Sequence, residues 1–237
     1  MKDNEILRVI KERHSTRGKF DTKCTITKES LNAILEAARW APTPHNMQNF
    51  EIIVIDNANI LEKIGKIEYM ISEDFVRENY QQLSFSEEEL LKKKVGLLGT
   101  SFPPELRNPD IYVDKTSIER LVTNIGRFFQ SNQTLLVIIY DPDKRAPASE
   151  GDFLGIMGLG CVMENMWLMA QSMGIAFHVI SALNTDPVEQ KVKSLLKIPQ
   201  NMKIAVGVRL GYPTSAEDTR LRVRREMEDF VHYNQFK

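Results

Sequence analysis

The stretch Arg13-His14-Ser15-Thr16-Arg17 sets two guanidiniums and two hydroxyls side by side, directly after an amphipathic run (Ile6, Leu7, Val9, Ile10) and directly before Gly18. An arginine presents a planar fork that can hold two phosphate oxygens at once, and Ser and Thr hydroxyls fill further acceptor positions, so this composition suits a phosphate grip. The competing reading is a solvated helix end, where cations favour the last carbonyls without any ligand. A second stretch, APTPHNMQNF from Ala41 to Phe50, combines two prolines with His, Asn, Gln and Asn. The prolines exclude a continuing helix, leaving an ordered polar loop. Side-chain amides carry a donor and an acceptor together, which matches a planar heteroaromatic edged with ring nitrogens and carbonyls. Asn46 and Gln48 can do this, or can merely close an Asx-type turn on their own backbone. A third cluster, Arg220, Arg222, Arg224 and Arg225, lies near the C-terminus. On an extended segment Arg222 and Arg224 point to one side, toward an anion or simply toward solvent.

These groups need elements to hold them. Thr27 reads as an N-cap, and Leu31, Ile34, Leu35 and Ala38 follow at helical spacing until Ala41-Pro42. Phe50 to Asp56 reads as a buried strand, residues 59 to 69 as an amphipathic helix, and Thr134 to Tyr140 as a central strand. From Tyr69 to about Asn132 the pattern weakens: SEEELLKKK is a charged helix, SFPPELRNPDIY a loop, and 118 to 132 regain a helical rhythm. This midsection, with scattered aromatics at Phe75, Tyr80, Phe85, Phe102 and Tyr112, serves either as a lid or as a surface insertion. The helix from Asp152 to Gly174 is apolar nearly all round, so it is expected to be buried on all sides, by the core and by a subunit interface. Its Met-rich stripe reads as packing. IAFHVIS (175 to 181) and MKIAVGVRL (202 to 210) complete the strands, with a helix from Asp186-Pro187 between them, and His178 reads as structural. Alternating helices and strands give an α/β or α+β class around one mostly buried sheet. The tail from 214 ends in Met227, Phe230, Val231, Tyr233 and Phe236, apolar groups that so short a segment cannot bury by itself, and crossing to a second subunit covers them most simply.

Composition excludes several classes. A chain of 237 residues with 42% apolar content can bury a sizeable core, and its formal net charge of -1 gives no general attraction for nucleic acid. Cys24 and Cys161 form no CxxC pair and have no metal-ligand spacing, so both read as free thiols in a reducing compartment, and no metal is expected. No signal-peptide h-region and no run approaching about 18 apolar residues is read from the sequence, so a cytoplasmic protein that does not engage membranes is expected.

In order and spacing these stretches resemble the FMN-dependent nitroreductase family, over nearly the whole length and least from about 70 to 130. RHSTR resembles the motif R-x-S-x-[RK], APTPHNMQNF the loop A-P-S-x-x-N-x-Q-P-W, LGCVMENMWLMAQSMGI the helix G-x-x-x-[QE]-N-x-x-L-x-A-x-x-x-G-[LI], and RVRREMEDFVHYNQF the tail [KR]-x-R-x-P-L-E-E-x-V. Asn49-Phe50 departs from Pro-Trp, Glu226 from proline, and Ser181-Ala182 from Gly or Glu-Gly. The resemblance implies that Arg13, Ser15 and Arg17, with His14 in the same motif, hold the FMN phosphate or ribityl chain. It implies that Arg222 and Arg224 return to that phosphate. Pro42, Thr43, Asn46 and Gln48 would reach the flavin of the opposite subunit, and the strand end at Val179, Ile180 and Ser181 would lie along the isoalloxazine. The implied fold is a single nitroreductase-like domain over 1-237, a mixed central sheet flanked by helices. Residues 70-132 form a variable lid or insertion in it, and 214-237 a tail exchanged in a homodimer. The implied activity is ping-pong transfer of hydride from NADH or NADPH through FMN to nitroaromatics, quinones or a related small-molecule acceptor. The alternatives are a flavin-binding homodimer without nicotinamide turnover, as sensor or carrier, and a reductive dehalogenase of the same family.

Overall fold

The computed structural model describes residues 4–71, 78, 84–99, 122–129, 133–214 and 221–236. The residues group into two compact units, Met1–Tyr69 with Asn124–Ala216, and Met70–Thr123 with Glu217–Lys237.

The first unit is built on a four-stranded sheet. Its strands are β1 (Phe50–Ile55), β2 (Thr134–Tyr140), β3 (Ala176–Ile180) and β4 (Lys203–Gly211), in the spatial order β1-β2-β4-β3. Each neighbouring pair is antiparallel, with Phe50 opposite Tyr140, Thr134 opposite Leu210, and Ala176 opposite Gly211. Every residue of β2 is buried, as expected of an inner strand covered on both faces. Alternation then sorts the side chains. Leu136, Ile138, Tyr140, Phe177 and Val208 join one core with Ile34 and Ala38 of α2 (Lys28–Arg39) and with a long helix at Phe153–Ser172. Leu135, Val137, Ile139 and Ile180 join a second core with Leu61 and Ile64 of α3 (Ala58–Gly65) and with a helix at Val188–Leu196. The sheet is thus the middle of three layers, and α1 (Glu5–Glu12) leads into the phosphate-grip candidate.

Local chemistry sets the helix ends. The Thr27 hydroxyl accepts the Ser30 N–H at 3.2 Å, and Asn4 and Asn57 cap α1 and α3 in the same way. In the second unit α4 (Glu87–Lys93) opens with a full capping box between Ser86 and Glu89 and closes on Lys94 in the left-handed region. The remaining helices are α5 (Phe153–Ser172) and α6 (Val188–Leu196).

Several expectations change. The sheet is antiparallel throughout its described pairings rather than mixed, because each strand pairs with a partner running the other way. β1 is a half-buried edge strand with Glu51 and Val54 exposed, not a fully buried one, since among the described residues no strand pairs with its outer side. Residues 125–128 form a short 3₁₀ turn preceded by the strand Val122–Asn124, so the helical rhythm expected from 118 is not kept there. Phe75, Tyr80, Phe102 and Tyr112 lie outside the described residues. Within one chain helix α5 leaves Phe153 (66%), Met157 (54%) and Ile156 (47%) facing outward, on a helix for which the sequence reading expects a subunit interface as well as the core. Contrary to the sequence reading, α5 is also long and apolar enough to cross a membrane by length and composition, a property that core helices of globular proteins share.

Candidate functional site

Arg13 is the C-cap of α1, its N–H donating to the Val9 carbonyl, and the chain leaves the helix there in extended conformation. The segment that follows is held largely by main-chain groups. The Trp167 indole N–H donates to the His14 carbonyl at 3.1 Å, and the Thr16 N–H donates to the Phe177 carbonyl of β3 at 3.1 Å. His14 Nδ1 lies 2.8 Å from the Glu12 carbonyl. Arg13 is half-buried: its guanidinium lies 4.5 Å from the centroid of Trp167, and Nε is 3.3 Å from a Glu164 carboxylate oxygen. Trp167 in turn stacks on Phe177 at 4.8 Å. Ser15 and Thr16 are half-buried and Arg17 is exposed. Helix α5 therefore supplies both an aromatic face and a carboxylate that orient the first arginine.

Within the amide loop, three of the four residues from His45 to Gln48 adopt positive φ: His45 (50°), Asn46 (53°) and Gln48 (44°). For side chains that carry a Cβ this is a costly set of torsions, and it concentrates in the loop singled out on chemical grounds. The loop is tied internally, with Gln48 N–H donating to the Thr43 hydroxyl at 3.1 Å and the Gln48 amide donating to Asn46 Oδ1 at 3.0 Å. The turn-closing reading of these amides is thus partly realised. Pro42, Asn46 and Gln48 remain exposed, and Thr43 is half-buried. Gly158 of α5 lets the loop approach, since a Cβ there would lie 3.2 Å from Pro44 and 3.5 Å from Thr43. The same helix thus meets the amide loop at Gly158 and Arg13 at Glu164, about 9 Å further along its axis.

Val179, Ile180 and Ser181 follow Phe177 on β3, so Thr16 is anchored about 7 Å along the strand from Val179. Val179 is half-buried, Ile180 is in the core, and Ser181 is exposed where the strand passes into a 3₁₀ turn. In the second unit Arg222 and Arg224 are exposed on an irregular segment, with Arg224 donating to the Val223 carbonyl at 2.7 Å. Glu226, where the family pattern has proline, pairs with Lys94.

Four supporting residues were not among the sequence candidates. Glu164 and Trp167 hold Arg13, and Asn165 donates to the Ala37 carbonyl at 3.1 Å, bonding α5 to the last turns of α2. Their signal was a Glu-Asn pair inside an otherwise apolar helix. The fourth is Arg209, the one charged residue in β4 after Lys203 at its start. It is 3% exposed, and burial pulls its guanidinium down to about 10.

A model of the Nitroreductase family matches residues 10–212. The chain is 21% identical over 231 residues to an NADPH-dependent oxidoreductase of Staphylococcus aureus (strain USA300), covering 98% of this chain and 74% of that one. It is 29% identical over 97 residues to an NADPH-flavin oxidoreductase of Vibrio harveyi, covering 41% of this chain and 39% of that protein's length. A nitroreductase with bound FMN from Bacteroides fragilis NCTC 9343 superposes with a TM-score of 0.54 at 22% identity, covering 99% of this chain and 98% of that one. Another with bound FMN, from Desulfitobacterium hafniense DCB-2, gives 0.57 at 20% identity, covering 98% and 99%. At these identities the structural likeness is one of fold. The family match runs from α1 to the residue after β4, taking in the arginine segment, the amide loop and the whole sheet: the chain belongs to the nitroreductase family.

Proposed function

We propose that the protein is an FMN-dependent oxidoreductase that takes reducing equivalents from NADH or NADPH and delivers them to a nitroaromatic, a quinone or a related small electron-poor acceptor. The observation that carries this reading is the way Arg13–Arg17 is ordered: main-chain bonds to Trp167 and Phe177 fix the segment, and the ring of Trp167 with the Glu164 carboxylate orients Arg13. The donor set fits a phosphomonoester, which carries a charge of about -1.5 to -2 at neutral pH. Glu164 offsets one of the two arginines of the segment, leaving it short of that charge. Arg222 and Arg224 are proposed to supply the remainder. When bound, FMN would supply the two-electron redox chemistry between nicotinamide and acceptor, for which a ping-pong order is proposed. The chain's own residues are proposed to grip and orient the cofactor, and no side-chain acid or base is assigned. Pro42, Thr43, Asn46 and Gln48 are proposed to meet the flavin rim of a second copy, and Val179 to Ser181 to line the ring in their own subunit.

The absorption spectrum of freshly purified protein, followed by titration with NADH or NADPH and then a nitroaromatic or quinone, tests this reading. Oxidised-flavin bands that bleach with nicotinamide and return with the acceptor are expected. A yellow protein that oxidises neither nicotinamide would transfer the case to a flavin carrier, and a protein that takes up no FMN would end both readings.

A further inference from the structure

We infer that Arg209 is a positioning residue for the phosphate grip, acting from behind it through the backbone of Gly18. This rests on the phosphate reading of Arg13–Arg17 given above. Arg209 lies on β4, opposite His178 of β3 and Leu135 of β2, on the sheet face that carries the second core. Its Nη2 donates to the Gly18 carbonyl at 2.8 Å and its Nη1 to the Phe128 carbonyl at 2.6 Å. The guanidinium lies 4.0 Å from the centroid of Phe20, and Phe20 is itself 2% exposed. One rigid fork therefore fixes Gly18, the residue directly after the arginine segment, to the 3₁₀ turn Ile125–Phe128.

Two physical features separate this from an ordinary tie. Among the described residues no carboxylate pairs with Arg209; its partners there are neutral carbonyls and a ring, and the guanidinium lies in a poorly screened interior. A buried cation without a counter-ion is costly to the fold, yet its field favours an anion bound nearby. The fork is also directional. Two carbonyls on separate turns are held at a fixed spacing by the two arms of a guanidinium, a task the point charge of a lysine cannot reproduce. The segment is thus anchored at Thr16 by β3, at His14 by α5 and at Gly18 by β4.

The test compares FMN with riboflavin, which lacks the phosphate, as ligands of the full-length protein freed of copurifying flavin. Fluorescence titration of wild type, Arg209→Lys and Arg209→Met gives both affinities, and circular dichroism reports folding. The expected result is an FMN-to-riboflavin affinity ratio reduced by about tenfold or more in Arg209→Lys, with riboflavin affinity nearly unchanged. Should Arg209→Met fail to fold, Arg209→Lys decides. An unchanged ratio in a folded variant, even one with a lowered melting temperature, would make Arg209 a purely structural tie and overturn the inference. A wild type that binds riboflavin as tightly as FMN would remove the phosphate reading beneath it, a distinguishable failure.

Discussion

At the scale of single residues, the proposed phosphate grip depends on where Arg13 can point. A lysine at this position keeps the charge but neither lies flat on Trp167 nor presents a planar edge to Glu164. Arg13→Ala removes a charge-assisted contact worth about 1.5–3 kcal/mol, so FMN affinity is expected to fall by roughly ten- to a hundredfold. Arg13→Lys is expected to recover only part of that loss. Flavin-to-protein ratios after gel filtration measure both, and full occupancy in Arg13→Ala would contradict the assigned role. The five-residue segment was legible in the sequence because its chemistry is local: two forks and two hydroxyls are visible without knowing any fold. Trp167 and Arg209 were not, because each acts on the segment from far along the chain, at separations of 153 and 191 residues for their hydrogen bonds to His14 and Gly18. Neither an indole on a helix nor a single arginine in a strand announces such a partner.

At the scale of elements, helices and strands with strong periodicity or cap residues fell where the sequence put them, as with α2 behind Thr27 and β2 at Thr134–Tyr140. The errors came where the third dimension decides. An edge strand and an inner strand share the same apolar letters, and the run through Ile125 and Phe128 could keep its buried contacts in a short turn. Close packing between elements supplies a test. A Cβ on Gly211 would lie 2.4 Å from Cδ2 of Phe20, whose ring is buried beside Arg209 and cannot swing into solvent. Gly211→Ala is therefore expected to destabilise the protein by about 1–3 kcal/mol, read as a lower urea midpoint. An unchanged midpoint would show that this layer yields easily. In the second unit, Lys94 pairs with Glu226 and so fastens the tail to the C-terminal end of α4. The bond and the charge of Glu226 raise the Lys94 ammonium above its usual 10.5. A raised lysine lends its stabilisation in full below 10.5 and loses it as pH climbs through the higher folded value. Lys94→Ala is thus expected to speed amide exchange across 221–236 at neutral pH, where the wild-type tie is intact.

At the scale of the whole molecule, the outward side of α5 requires an explanation that a single chain does not supply. Phe153, Ile156 and Met157 stand 66%, 47% and 54% exposed in the first half of the helix. Isolated apolar residues on a surface mean little, but three within two turns of the longest helix form a patch. Lipid is a poor occupant: further along, Glu164 and Asn165 bond to Arg13 and the Ala37 carbonyl, so the helix is committed to its own protein along its polar positions. A second copy is the better one, since the amide loop packs on the same half of α5 at Gly158 and leaves Asn46 and Gln48 exposed. We propose that this face joins two copies of the chain, so that one chain's amide loop would meet the flavin held by the other, and Met157→Asp would set a carboxylate in that joint. Burying an unpaired charge is prohibitive, so the dimer separates instead. The dissociation constant is expected to rise at least about a hundredfold, or about 2.7 kcal/mol. Sedimentation velocity should then show monomers at micromolar concentration, with flavin lost alongside, because each site would lack the loop it borrows. A Met157→Asp protein that still sediments as a flavin-bearing dimer would place the interface elsewhere, and a monomeric wild type that retains FMN would remove the shared site altogether.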